Sequence, residues 1–142
     1  MRWLKLGVKF DEVEASFSEE SLKKKSALPI IDDTGFGWIS VDNTRYNHDI
    51  IIFTDGKIRN RYQDFKGDSH TLSREEAEKV IGKGAETLVV GTGQSGVLSI
   101  PEETKQFLSK LKIKLIAEQI PKAIKTYNTI TGKKCALFHT TC

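Results

Sequence analysis

Thr87-Leu88-Val89-Val90-Gly91-Thr92-Gly93 reads as a short apolar strand that runs into a glycine loop, and the segments on either side repeat that logic. Upstream, Ser73-Arg74-Glu75-Glu76 is a capping box, and Ala77, Val80 and Ile81 mark the buried stripe of a short helix that Gly82 and Gly84 end. Downstream, Ser99-Ile100-Pro101-Glu102 carries the cap and proline signals of a second helix, with Ile100, Phe107, Leu108 and Leu111 as its stripe. Lys112 to Glu118 is the next strand, with Ile113, Leu115 and Ala117 on one face. Pro121 opens a third helix with Ala123, Ile124, Tyr127 and Ile130 inward, Gly132 closes it, and Lys134 to His139 is the last strand. An αβαβαβ order requires parallel strands joined by right-handed crossovers, with helices covering the sheet.

Ahead of this part the period is that of strands. Phe36 to Val41 is a strand, Asp42-Asn43 a turn, and Tyr46 then Asp49 to Phe53 continue the sheet. Thr54-Asp55-Gly56-Lys57 is a hairpin signal, because Asp-Gly accepts positive φ. In the strand after it Lys57, Arg59 and Arg61 alternate with Ile58, Asn60 and Tyr62, a pattern that protects a sheet edge or holds an anion. Gln63 to Thr71 is a polar loop. The expected fold is therefore α/β: a three-layer single domain, with a mixed central sheet, a leading antiparallel β layer and the αβαβαβ C-terminal part.

Residues 1–34 read as an N-terminal extension and residues 35–142 as the domain. Trp3, Leu4, Leu6, Val8 and Phe10 partly alternate as in an extra strand, and Ser18 to Ser26 suits a short helix. Pro29 and Asp32-Asp33-Thr34-Gly35 form the linker into the main domain. The 142 residues fit one domain, and 38% apolar with 29% charged residues excludes a disordered or collagen-like chain. Apolar runs such as Ile50 to Phe53 stop at four residues, too short for a transmembrane helix. No signal or transit peptide is visible at the start, and two cysteines suit free thiols in a reducing cytoplasm.

Charge is uneven. The net is +3, yet eight lysines between Lys105 and Lys134 face a single acid, Glu118. A basic face can meet nucleic acid, acidic lipid or an acidic protein partner, or simply be solvated. The absence of arginine among these lysines, and one aromatic on each helix, make nucleic acid a poor match.

Gly91-Thr92-Gly93-Gln94-Ser95-Gly96 matches the spacing of a dinucleotide-binding loop, with Glu118 at the end of the next strand. The helix start near Ser99 to Pro101 comes too late for that fold, and too few residues follow for the usual larger sheet. The loop could still form an anion-binding nest. His48, His70 and His139 show no metal-ligand spacing with each other or with Cys135 and Cys142, so no metal and no cofactor are expected. His139 is expected to satisfy backbone groups at a strand end. As base for a Cys142 nucleophile it would serve a thiol whose pKa the adjacent terminal charge raises. Tyr127 continues an apolar stripe, and Asn128 is expected to hydrogen-bond a neighbouring loop. Three segments follow strands of the parallel part and should meet at one sheet edge. They supply the candidate ligand-binding residues Gly91, Thr92, Gly93, Ser95, Glu118, His139 and Cys142, with no catalytic residue among them.

Thr87 to Gly93, Ile100-Pro101, Ala123-Ile124-Lys125-Thr126-Tyr127-Asn128 and Phe138-His139-Thr140-Thr141-Cys142 together resemble the adipogenesis-associated Mth-domain family. That family includes archaeal and bacterial hypothetical proteins, a human protein, and more distantly a mitochondrial assembly factor for respiratory NADH:ubiquinone oxidoreductase. The resemblance runs from about Phe36 to Cys142; Gly96 and residues 1–34 depart from it. It implies a three-layer α/β domain with no established activity and no known cofactor. The leading expectation is a non-enzymatic interaction, assembly or regulatory protein with an unidentified protein partner. The alternative is a small-anion or nucleotide-type ligand, bound or turned over at the Gly91 loop.

Overall fold

Two strands of the leading β part, β1 (Ile31–Gly35) and β2 (Trp38–Val41), pair antiparallel, and β2 turns directly into β3 (Thr44–Tyr46). Asp42 and Asn43 form that turn, both with positive φ, as a two-residue hairpin requires. These facts come from a computed structural model that describes residues 28–142 except 64 and 66. The expected strand Trp3 to Phe10 and helix Ser18 to Ser26 lie outside the described residues.

The stretch Asp32 to Gly35, expected as a linker, is instead most of strand β1. Its first residue is fastened by the side chain of Asn128, whose Oδ1 accepts from Ile31 N at 3.0 Å and whose Nδ2 donates to Ile31 O at 2.9 Å. An amide side chain matches a backbone edge donor for acceptor, which a linker reading of two aspartates could not foresee.

Among the described residues the second sheet has five strands, in the order β5 (Ile58–Asn60), β4 (Ile50–Ile52), β8 (Lys134–Phe138), β6 (Thr87–Gly91) and β7 (Lys114–Glu118). β8, β6 and β7 run parallel, while β4 pairs antiparallel with both β8 and β5. The helices α1 (Arg74–Ile81), α2 (Glu102–Lys110) and α3 (Ile120–Thr129) supply the crossovers. Both faces of the central strands are covered, so β8 is buried at all five positions. On one face Ile51, Leu88, Val90 and Leu137 pack with Ala77, Val80 and Ile81 of α1 and Leu108 of α2. On the other, Ile50, Ile52, Val89, Ala136 and Phe138 pack with Ala123, Ile124 and Tyr127 of α3 and with Ile31, Ile39 and Val41 of the small sheet. The protein is thus a mixed α/β single domain, with two sheets and three α-helices among the described residues.

One position of the expected α2 stripe and one of the apolar face of β7 turn outward. Leu111 is 51% exposed, because α2 ends at Lys110 and the chain turns through Lys112 at φ +59°. Thr104 takes the buried position instead and donates its hydroxyl to Leu72 O. Ala117 is exposed because β7 is an outer strand that the helices only partly cover.

Candidate functional site

The ends of β6, β7 and β8 meet through backbone hydrogen bonds. Thr92 N donates to Glu118 O at 2.8 Å, His139 N to Gly91 O at 2.9 Å, and Ile120 N to Gly93 O at 3.1 Å. Gly91, Thr92, Gly93, Glu118 and His139 are therefore brought together. The chain that follows β8 then lies along the loop: Gln94 N donates to Thr141 O, Ser95 N to Cys142 O, and Val97 N to the same Cys142 oxygen at 3.3 Å. These are the donors an anion-binding nest would have offered, and carbonyls of the chain itself occupy them. Gly93, at φ +113°, permits the approach, since a Cβ there would collide with the Cys142 backbone and stand 3.2 Å from the His139 ring. The Glu118 carboxylate turns away, accepting from Thr126 Oγ1 at 2.6 Å and lying 3.6 Å from Lys122 Nζ. The Ser95 side chain is exposed, and Cys142 is half-buried.

His139 does not satisfy backbone groups with its ring, as expected from the sequence. Its Nδ1 lies 2.8 Å from Asp49 Oδ2, with both side chains buried. Asp49 also accepts from Arg61 Nη1 at 3.0 Å, Tyr62 Oη at 2.7 Å, and the Thr140 N–H and hydroxyl at 2.8 and 3.0 Å. Burial pushes the Asp49 carboxyl up, but the hydrogen bonds from His139, Thr140 and Tyr62 outweigh it and hold the group well below the usual carboxylate range. Burial and the same carboxylate push the Tyr62 hydroxyl up to about 12. An ionised carboxylate only accepts, so the proton between Asp49 and His139 belongs to Nδ1. Thr141 Oγ1 lies 3.2 Å from the other ring nitrogen, Nε2.

Arg61, read from the sequence as an edge residue, is 1% exposed. β5 ends at Asn60, and a single 3-10 turn over Arg61–Gln63 swings its side chain into the core. There Nε and Nη2 form a two-pronged pair with Glu76 at 2.7 and 2.9 Å. Nη1 donates to Asp49 and to Ser69 O, and the remaining Nη2 proton goes to Thr71 O at 3.2 Å. All five guanidinium donors are used. Burial alone would lower the Arg61 pKa; the Glu76 and Asp49 carboxylates raise it instead. Glu76 belongs to the capping box, where its N–H donates to Ser73 Oγ, yet its carboxylate serves Arg61 rather than the helix end.

Beside this cluster lies a cavity of about 590 Å³, walled by Ile51, Phe53 and Phe65 with Arg61 and Glu76 at its side and Glu75 and Lys79 of α1 on its lining. Its volume falls in the range of small-molecule pockets.

The order Asp49, His139, Thr141 resembles the relay that activates a nucleophilic hydroxyl. Space argues against that role here. His139 is 1% exposed, Gly93 packs so close that a Cβ there would stand 3.2 Å from the ring, and His70 stands edge-on to it with centroids 5.2 Å apart. Among the described residues no cluster of three His, Cys, Asp or Glu side chains could hold a metal ion, and no helix is long and apolar enough to cross a membrane.

Residues 31–138 match a protein family described as protein of unknown function (DUF498/DUF598). The chain belongs to this family. It is similar to the crystal structure of a conserved hypothetical protein from Pyrococcus horikoshii OT3, with 30% identity and a TM-score of 0.71, covering 79% of this chain and 98% of that one. The protein named MT938 matches at 24% identity and a TM-score of 0.67, over 80% of this chain and 99% of that one. A Bordetella pertussis protein described as an Mth938-like domain matches at 18% identity and a TM-score of 0.60, over 96% and 92%. The last two likenesses carry the fold alone.

In this DUF498/DUF598 chain the meeting point of the strand ends is legible in the sequence, whereas the roles of Asp49, Arg61 and Glu76 are not. One signal was available. Glu76 sits four residues before Val80, on the apolar stripe of α1, and a charge on a buried stripe demands a buried partner.

Proposed function

We propose that this chain is a non-enzymatic interaction protein, with the narrower kinship to the adipogenesis-associated Mth-domain branch as part of the same reading. One observation carries it. The polar groups gathered at the candidate site are matched to one another: Arg61 by five acceptors, Asp49 by five donors, and Gln94, Ser95 and Val97 by the carbonyls of Thr141 and Cys142. Catalysis needs an acid or base turned toward a reacting atom, whereas such a matched set makes a rigid body. A second reading, a small-molecule receptor, is favoured by the 590 Å³ cavity. A small anion or nucleotide at the Gly91 loop would first have to displace Thr141 and Cys142.

Three readouts on the full chain test the proposal. Sulfate titrated to about 50 mM should leave the amide resonances of Gln94, Ser95 and Val97 unmoved. A fluorophosphonate probe should leave Thr141 unlabelled. In native extract the chain should migrate in a complex well above its 16.0 kDa. Saturable sulfate shifts, a labelled Thr141 or a free monomer in extract would each count against it.

A further inference from the structure

The far end of the central sheet carries a different kind of surface. β7 is its outer strand, paired only with β6 among the described residues. Lys114 N donates to Glu86 O, and Glu118 O accepts from Thr92 N, so Lys114, Ile116 and Glu118 direct their backbone groups toward β6. By alternation, Leu115 and Ala117 direct theirs outward. Between this strand and α2 runs a shallow groove of about 400 Å³, floored by Leu108, Ile113 and Leu115 and lined by Lys105, Lys112 and Lys114. All three lysines are exposed, and none is in an ion pair among the described residues. Among the described residues no acid lines the groove.

Lys112 is held there against its backbone preference. Lys112 N donates to Ser109 O and Ile113 N to Leu108 O, the two bonds of a Schellman ending, with Lys112 at the left-handed position that glycine usually fills. A side chain in that conformation is disfavoured.

We propose that this groove is a docking surface for an acidic, extended peptide segment of a partner protein. The segment lies along β7, pairs with the outward groups of Leu115 and Ala117, and sets an apolar side chain among Leu108, Ile113 and Leu115. Its carboxylates meet Lys105, Lys112 and Lys114. Strand addition of this kind draws affinity from main-chain hydrogen bonds and specificity from alternate side chains. Edge lysines also keep a strand from pairing with its own kind. A second copy of this chain would bring lysine to lysine, while an acidic strand meets the charge it lacks. The proposal rests on the interaction reading and names the chemistry of the partner.

The test uses the full chain and an eight-residue peptide alternating glutamate with valine, followed by amide resonances. Saturable shifts should appear at residues 113–118, with a dissociation constant below about 1 mM. Octaglutamate should bind about tenfold more weakly, since it lacks the apolar residues. The triple variant Lys105→Glu, Lys112→Glu, Lys114→Glu should weaken the alternating peptide by at least about tenfold. Ala117→Pro should do the same with every charge intact, because it removes an outward N–H. Thermal melts confirm that each variant is folded, and the charge-reversal variant decides the matter if the proline variant is not. Equal binding of octaglutamate, undiminished binding by the folded charge-reversal variant, shifts centred elsewhere, or tighter binding of duplex DNA or phosphatidylserine vesicles would overturn the proposal. Peptide failure with the native-extract complex intact would move the interaction off this groove. Loss of that complex while the peptide still binds would instead break the broader reading.

Discussion

At the β4–β5 end of the central sheet, Arg61 gives all five donors to Glu76, Asp49 and two loop carbonyls, while at the β7 end Lys105, Lys112 and Lys114 stand in solvent with no ion pair among the described residues. The contrast follows from burial. A charge taken out of water must be matched closely or the fold fails, so the first cluster is committed to holding β4, α1 and the loop at Ser69 to Thr71 in place. An exposed ammonium is already solvated and contributes little to stability, so the lysines are free to serve contacts. Charge at one end is structural; at the other it is available.

The most damaging change should be Arg61→Met. It leaves two carboxylates buried without their cation, and loss of one member of a buried ion pair costs about 3–5 kcal/mol. Urea unfolding measures it. Arg61→Lys should recover only part of the loss, because an ammonium cannot supply a two-pronged contact to Glu76 as well as Asp49 and two carbonyls. Full recovery by lysine would break the comparison.

Gly93→Val comes next. It sets a branched residue at positive φ and drives its Cβ into the Cys142 backbone, a strain on the order of 1–3 kcal/mol before any clash is counted. Faster hydrogen exchange at Gln94 and Ser95 should accompany the lower stability, since their acceptors move away. Unchanged exchange would mean that the loop closes without the glycine.

Acid should act on the Asp49 cluster more than on the lysines. The folded carboxyl is held below its ordinary value of 3.8, so the unfolded chain takes up the proton first. The Asp49 contribution is therefore complete near neutrality and drains away as pH falls below about 4 toward the folded value. Asp49→Asn should be less stable than the native chain at neutral pH and lose less between about pH 5 and 2. Parallel pH curves for the two proteins would show that Asp49 is not tightly held.

The smallest effect is a gain. Lys112→Gly should stabilise the protein by about 1 kcal/mol, by relieving a left-handed side chain. It should weaken the acidic peptide at the same time. A stabilised variant with undiminished peptide binding would show that Lys112 serves neither end.

The layered fold was legible because its signals are local. The Asp-Gly hairpin at Asp55-Gly56, the Ser73 cap and the strand-loop-helix rhythm from Thr87 onward each depend on a few adjacent residues. The convergence of Gly91, Glu118 and His139 followed from parallel topology, whereas Asn128, expected to bond a neighbouring loop, bonds Ile31 at the start of strand β1 instead. What stayed hidden depends on long-range pairing. Arg61 continues an alternating basic pattern until the 3-10 turn rotates it inward, and its partners lie 12 and 15 residues away. The Gly91 loop read as an open nest because nothing local says that Thr141 and Cys142 return to fill it. The strand at Ile31–Gly35 was hidden by its two aspartates, which face solvent on an edge.

The most direct test of the contrast is a guanidinium-resolved NMR titration of Arg61 with sulfate. If its donors are all taken, the Arg61 Nε–H signal should exchange slowly and stay fixed as sulfate rises to about 50 mM, while signals of Lys105, Lys112 and Lys114 move. A saturable shift of Arg61 with fixed lysine signals would place the available charge at the wrong end of the sheet and contradict the account.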